Sequence, residues 1–131
     1  MYIQIAPHRW LRADAITSVR LAPHAATVTL DESAPFLPGD KKTYPTIFRA
    51  SDETARKQLQ AWVAAQLKSR HLVAITSELS VVRSKVLVVS TPSAHRLVLR
   101  CRGGGQLSIK SSAKHPTFAR PLEEIVAALT A

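Results

Sequence analysis

Apolar and polar positions along this chain of 131 residues recur at two periods, and each period predicts an element. The opening "YIQI" is a short strand that Pro7 ends. From Asp14 to Ala22 the residues alternate, with Thr17, Val19 and Leu21 on one face and Ile16, Ser18 and Arg20 on the other. After "PHA", Thr27 to Leu30 alternates again, so the two stretches read as an antiparallel hairpin. Residues 32–45, "ESAPFLPGDKKTYP", carry three prolines and a glycine and predict a long exposed loop before a short strand at Thr46 to Ala50.

The period then changes to that of a helix. Ala55, Leu59, Trp62, Val63 and Leu67 line one face, with Ser51 placed to cap the start. Asp52 and Glu53 fall in the first turn and Lys68 and Arg70 at the end, where the helix dipole favours their charges. Such a stripe packs on a sheet, with Trp62 in the core. Beyond it, 72–79 fits strand or helix equally. Leu79 to Val82 and Lys85 to Ser90 are β-rich, "STPS" breaks the chain, and His95 to Arg102 with Gln106 to Ser112 form a second hairpin. Pro121 starts a closing helix with Leu122, Ile125, Val126 and Leu129 as its buried stripe.

Strands then helix thus occur twice, which predicts an α+β fold. Two successive antiparallel hairpin or sheet units, each followed by an amphipathic helix, form a ββββα-like pseudo-repeat sharing one core. The chain reads as one small domain, with possible sub-units 1–70 and 71–131. Its order is similar in outline to the small single-strand-binding families of the Pur-α and Whirly type, and its first half to a pleckstrin-homology-like roll. Both resemblances are to fold alone and imply no residue roles.

A hydrophobic content of 46% supports a real core. One cysteine excludes an internal disulfide framework, and the first ten residues lack the basic and apolar regions of a secretory signal, so a reducing, cytoplasmic setting is expected. The longest strongly apolar run, Val86 to Val89, is far short of the ~20 residues of a membrane-spanning helix, so no membrane association is expected.

Charge changes the picture most. Of the 18 lysines and arginines, eight lie between Leu79 and Leu122, a stretch with no Asp or Glu; the other ten face nine acidic residues. Nearly all of the net +9 therefore belongs to Arg83, Lys85, Arg96, Arg100, Arg102, Lys110, Lys114 and Arg120. Reading Gly103 to Gly105 as a three-residue hairpin loop sets Arg102 opposite Gln106, and the faces follow. Leu97, Leu99, Cys101, Leu107, Ile109 and Ser111 share one side; Arg96, Val98, Arg100, Arg102, Gln106, Ser108, Lys110 and Ser112 share the other. The polar side offers guanidinium, ammonium, hydroxyl and amide donors, which suit a phosphate backbone.

The expected partner is DNA or RNA, bound without enzymatic turnover and with little sequence readout, through Arg83, Lys85, Arg96, Arg100, Arg102, Gln106, Ser108, Lys110 and Lys114. The alternative is an adaptor or assembly protein whose basic face docks an acidic protein surface or another subunit, in a possible homo-oligomer. A ribbon without rings cannot stack bases. Tyr2, Trp10, Tyr44 and Phe48 of the first half would serve for stacking if they lay near the ribbon, but read as core or loop anchors.

No catalytic, cofactor or metal set is marked. The five histidines are scattered, the glycine loop lacks a nucleotide-binding spacing, and Cys101 points to the apolar side. Asp31 followed by "DKK" at Asp40 to Lys42 resembles the acidic-x-Lys pattern of the restriction-endonuclease-like family, which would imply a metal held by Asp31 and Asp40 with Lys42 assisting water.

Overall fold

The computed structural model describes residues 2–35, 38, 39, 41, 43–50, 52–112 and 116–131. The first half runs β1 (Tyr2–Ala6), β2 (Arg9–Arg12), a 3₁₀ turn at Ala13–Ala15, β3 (Ile16–Leu21), β4 (Ala26–Pro35), β5 (Thr43–Ala50) and helix α1 (Glu53–Lys68). The second runs β6 (Leu72–Ala74), β7 (Leu79–Val82), a 3₁₀ turn at Arg83–Lys85, β8 (Val86–Ser93), β9 (Arg96–Cys101), a glycine turn at Arg102–Gly104, β10 (Gln106–Lys110) and helix α2 (Leu122–Thr130). The fold is α+β with three antiparallel sheets, ordered β1-β2, β5-β4-β3-β7-β6 and β10-β9-β8. Among the described residues five strands precede each helix, where a ββββα pattern has four. No helix among the described residues is long and apolar enough to cross a membrane.

Helix α1 forms where its stripe predicts. Ala55, Leu59, Trp62 and Val63 are buried and Leu67 is partly exposed. Its cap is Asp52, whose Oδ1 accepts the Thr54 N–H at 3.3 Å, while Ser51 lies outside the described residues. The buried stripe packs with Ile3, Ile5 and Leu11 of the first hairpin and with Ile16, Val19, Val28 and Leu30. A second cluster gathers Leu97, Leu99 and Ile109 beneath Ile125 and Leu129 of α2, with Val73, Leu79 and Val81 beside them. Pro121 precedes α2 as its cap, and its carbonyl accepts the N–H groups of Glu124 and Ile125.

Four expectations about the strands change. Residues 32–45 are not simply a loop: β4 continues to Pro35 and β5 begins at Thr43, with Ser33 opposite Pro45 and Pro35 opposite Thr43. Pro45 is compatible with a strand because β5 is a sheet edge, where a missing N–H costs no ladder bond. "STPS" likewise does not break the chain, since β8 is also an edge and runs through Pro92 to Ser93 before turning at Ala94 and His95. Arg9–Arg12, whose polar composition concealed it, pairs with β1. Finally, Thr17 and Ser18 are both buried, because β3 lies between β4 and β7 and is covered on both faces. Thr17 Oγ1 donates to the Thr29 carbonyl at 3.0 Å, which satisfies its hydroxyl there.

The ambiguous stretch after Leu72 is a strand, a turn and a strand. Thr76 Oγ1 accepts the N–H groups of Glu78 and Leu79 at 3.2 and 3.0 Å and shapes the turn.

Candidate functional site

The basic ribbon lies in the β10-β9-β8 sheet, but its register differs from expectation by two residues. Gln106 is opposite Arg100, Ser108 opposite Val98 and Lys110 opposite Arg96. The connection spans Cys101 to Gly105, closed by the Cys101 N–H donating to the Gly105 carbonyl at 2.8 Å. Arg102 therefore leaves the ladder and lies exposed at the start of the glycine turn instead of facing Gln106. A shift of two preserves which residues share a face. Leu97, Leu99 and Ile109 are buried in the cluster that holds Ile125 and Leu129 of α2, and Cys101 is buried as well, while Arg100, Gln106, Ser108 and Lys110 are exposed on the other side.

β8 extends that outer face, since Val88 is opposite Arg100, Ser90 opposite Val98 and Ser93 opposite Arg96. Three cross-strand rows result: Val88, Arg100 and Gln106; Ser90, Val98 and Ser108; Ser93, Arg96 and Lys110. Arg96 Nε donates diagonally to Ser108 Oγ at 3.1 Å, which orients the guanidinium across the face. Like charges directly opposite each other repel. Among the described residues no carboxylate forms an ion pair with Arg96, Arg100, Arg102 or Lys110. Ser90 and Ser93 also belong to this face, which the break-like composition of "STPS" conceals.

The other candidate residues separate from this cluster. Lys85 is not a free cation: its Nζ meets Asp31 Oδ2 at 2.6 Å, and both side chains are mostly shielded from solvent. Arg83 lies away from the ribbon face and lines a cleft of about 600 Å³ with Arg70 and Arg120, against Leu67, Leu72 and Ala128. Lys114 lies outside the described residues, as do Asp40 and Lys42. Of the nuclease-like pattern only Asp31 is described, and its carboxylate is occupied by Lys85.

Asp31 also receives the glycine turn. Gly103 has φ +81°, and a Cβ there would stand 2.5 Å from the Asp31 carbonyl carbon. The "RGGG" stretch is thus a close approach between backbones as well as a turn. Cys101 is buried, and burial pushes its thiol pKa up, so the flanking arginines do not activate it. No known family model, curated protein or solved structure matches the chain.

Two aromatic expectations are corrected. Tyr2 and Trp10 are exposed, not core, because they occupy the side of the β1-β2 hairpin opposite to Ile3 and Leu11. Phe48 is partly buried with the Arg9 guanidinium 5.7 Å from its ring centre. Tyr44 belongs to β5.

Proposed function

We propose that this protein binds DNA or RNA through phosphate contacts on the outer face of the β10-β9-β8 sheet. The observation that carries the reading is Arg96 directly opposite Lys110, with Arg100 on the same face and no carboxylate paired to any of them among the described residues. An anion between the rows relieves that repulsion, and a guanidinium can hold two phosphate oxygens at once. Ser90, Ser108 and Gln106 add neutral donors that fix position along a backbone.

No Phe, Tyr or Trp occurs between Val86 and Lys110, so the face holds the backbone without stacking bases. Sequence preference is therefore weak. Lys85 contributes to stability and not to binding, since Asp31 already neutralises it.

The test is binding of labelled single-stranded and duplex DNA and RNA over a salt series, with an Arg96→Gln, Arg100→Gln, Lys110→Gln variant alongside. Wild type gives a log-log salt slope of about −3 to −5, and the variant a slope shallower by about two to three. No binding at moderate salt, or an unchanged slope in the variant, overturns the reading and favours an acidic protein partner.

A further inference from the structure

The first five elements of the chain recur in its second half at a fixed spacing. β1, β2, the first 3₁₀ turn, β3 and β4 begin at Tyr2, Arg9, Ala13, Ile16 and Ala26; their counterparts begin 70 residues later, at Leu72, Leu79, Arg83, Val86 and Arg96. Registers repeat as well. Tyr2 opposite Arg12, Ile3 opposite Leu11 and Gln4 opposite Trp10 correspond to Leu72 opposite Val82, Val73 opposite Val81 and Ala74 opposite Ser80. Both turns close alike, the Ile16 N–H donating to the Ala13 carbonyl and the Val86 N–H to that of Arg83. Each third strand is irregular at the same place, between Ile16 and Ser18 and between Val86 and Val88.

Within this frame one junction is made and its counterpart is open. β3 joins β7, with Ser18 opposite Val81, Val19 opposite Ser80 and Arg20 opposite Leu79. Exchanging the halves at the same spacing puts β8 against β2, with Val88 opposite Leu11, Val89 opposite Trp10 and Ser90 opposite Arg9. Among the described residues β8 is instead the edge of a three-stranded sheet, and β2 pairs only with β1.

The side chains at the two junctions are inverted relative to their exposure. At the closed junction Thr17, Ser18 and Ser80 are 1%, 4% and 6% exposed; their counterparts Leu87, Val88 and Trp10 are 60%, 43% and 58% exposed. Hydroxyls are buried and large apolar groups face water. Open strand edges carrying such groups are sites of further strand pairing.

We infer that β8 is completed by β2 of a second copy of this chain, in the register Val88–Leu11, Val89–Trp10 and Ser90–Arg9. Each copy offers one open β8 and one open β2, so a two-fold dimer closes both junctions at once. The chain's own β2 does not fill the role, because the first hairpin is seated on α1. Gln4 N–H donates to Gln58 Oε1 at 3.2 Å, and Ile3, Ile5 and Leu11 share the core of Leu59 and Trp62. In the dimer Trp10 lies opposite Val89, against the cluster that holds Leu97 and Leu99.

The experiment combines light scattering with disulfide trapping on the full chain. Wild type has twice the 14.3 kDa chain mass, and Val88→Lys, which places a charge on the open strand, has the single mass with an unchanged far-UV circular dichroism spectrum. For trapping, a tagged Leu11→Cys chain is mixed with an untagged Val88→Cys chain, both carrying Cys101→Ala. Directly opposite residues have Cβ atoms about 4.5–5.5 Å apart, so mild oxidation yields a tagged-untagged disulfide in excess of either homodimer. A single-chain mass at every concentration overturns the inference. So does a dimer that survives Val88→Lys without the mixed disulfide, or an intramolecular disulfide in a monomeric Leu11→Cys, Val88→Cys chain.

Discussion

Gly103 and Gly104 are adjacent, share nearly the same backbone angle and differ in what surrounds them, which makes them a matched pair. Their φ values are +81° and +84°; a Cβ on Gly103 would meet the Asp31 carbonyl carbon and oxygen at 2.5 and 2.6 Å, whereas one on Gly104 meets nothing within 4 Å. Alanine at either position carries the left-handed cost of about 1–2 kcal/mol. Gly103→Ala adds an overlap with backbone that cannot swing aside, worth about 1–3 kcal/mol more by comparison with overpacked cores. At roughly 4 °C per kcal/mol for a domain of this size, the two variants separate by about 4–12 °C in Tm, with Gly103→Ala lower. Urea and thermal unfolding followed by circular dichroism measure both. Equal losses, or a larger one at Gly104, would refute the docking of this turn onto β4.

Two further outcomes test neighbouring parts of the same region. Lys85→Met leaves the mostly shielded Asp31 unpaired and destabilises the fold by about 1–2 kcal/mol, between exposed and fully buried pairs. A double-mutant cycle with Asp31→Asn recovers most of that as coupling, while the nucleic-acid salt slope of Lys85→Met stays at its wild-type value; a coupling near zero contradicts the pairing. The buried Cys101 thiol has a raised pKa, so it binds its proton more tightly folded than unfolded. Its contribution is complete below the ordinary thiol pKa of about 8.5 and is lost as pH climbs through the raised value. Unfolding free energy therefore falls more steeply at alkaline pH in wild type than in Cys101→Ala, and matching slopes would exclude the thiol as the cause.

Local pattern was sufficient for the helices and for the faces of the basic ribbon. The spacing of Leu59, Trp62 and Val63 admits one buried stripe, and the alternation of Arg96 through Cys101 admits one division into polar and apolar sides. That division survives a register error of two, because side chains on a strand repeat every two residues. Loop length is invisible for the same reason: a three-residue and a five-residue connection here bury the same leucines. Loop-like composition also misleads at sheet edges, where Pro45 and Pro92 sit in strands that are terminal in their sheets among the described residues.

Only the tertiary structure decided which cations stand together. Lys85 and Asp31 are 54 positions apart, and no local period connects them, yet their pairing removes Lys85 from the basic face. Arg83 and Arg102 leave that face as well, one toward a cleft and the other into a turn, because a 3₁₀ segment redirects the chain at the first and a glycine turn with positive φ at the second. The sequence by itself determined that a segment would be basic and two-sided, since composition and period are local quantities. Which strands adjoin, and so why Ser18 is buried while Val88 is bare, depends on contacts between distant residues that become neighbours only when the sheets form.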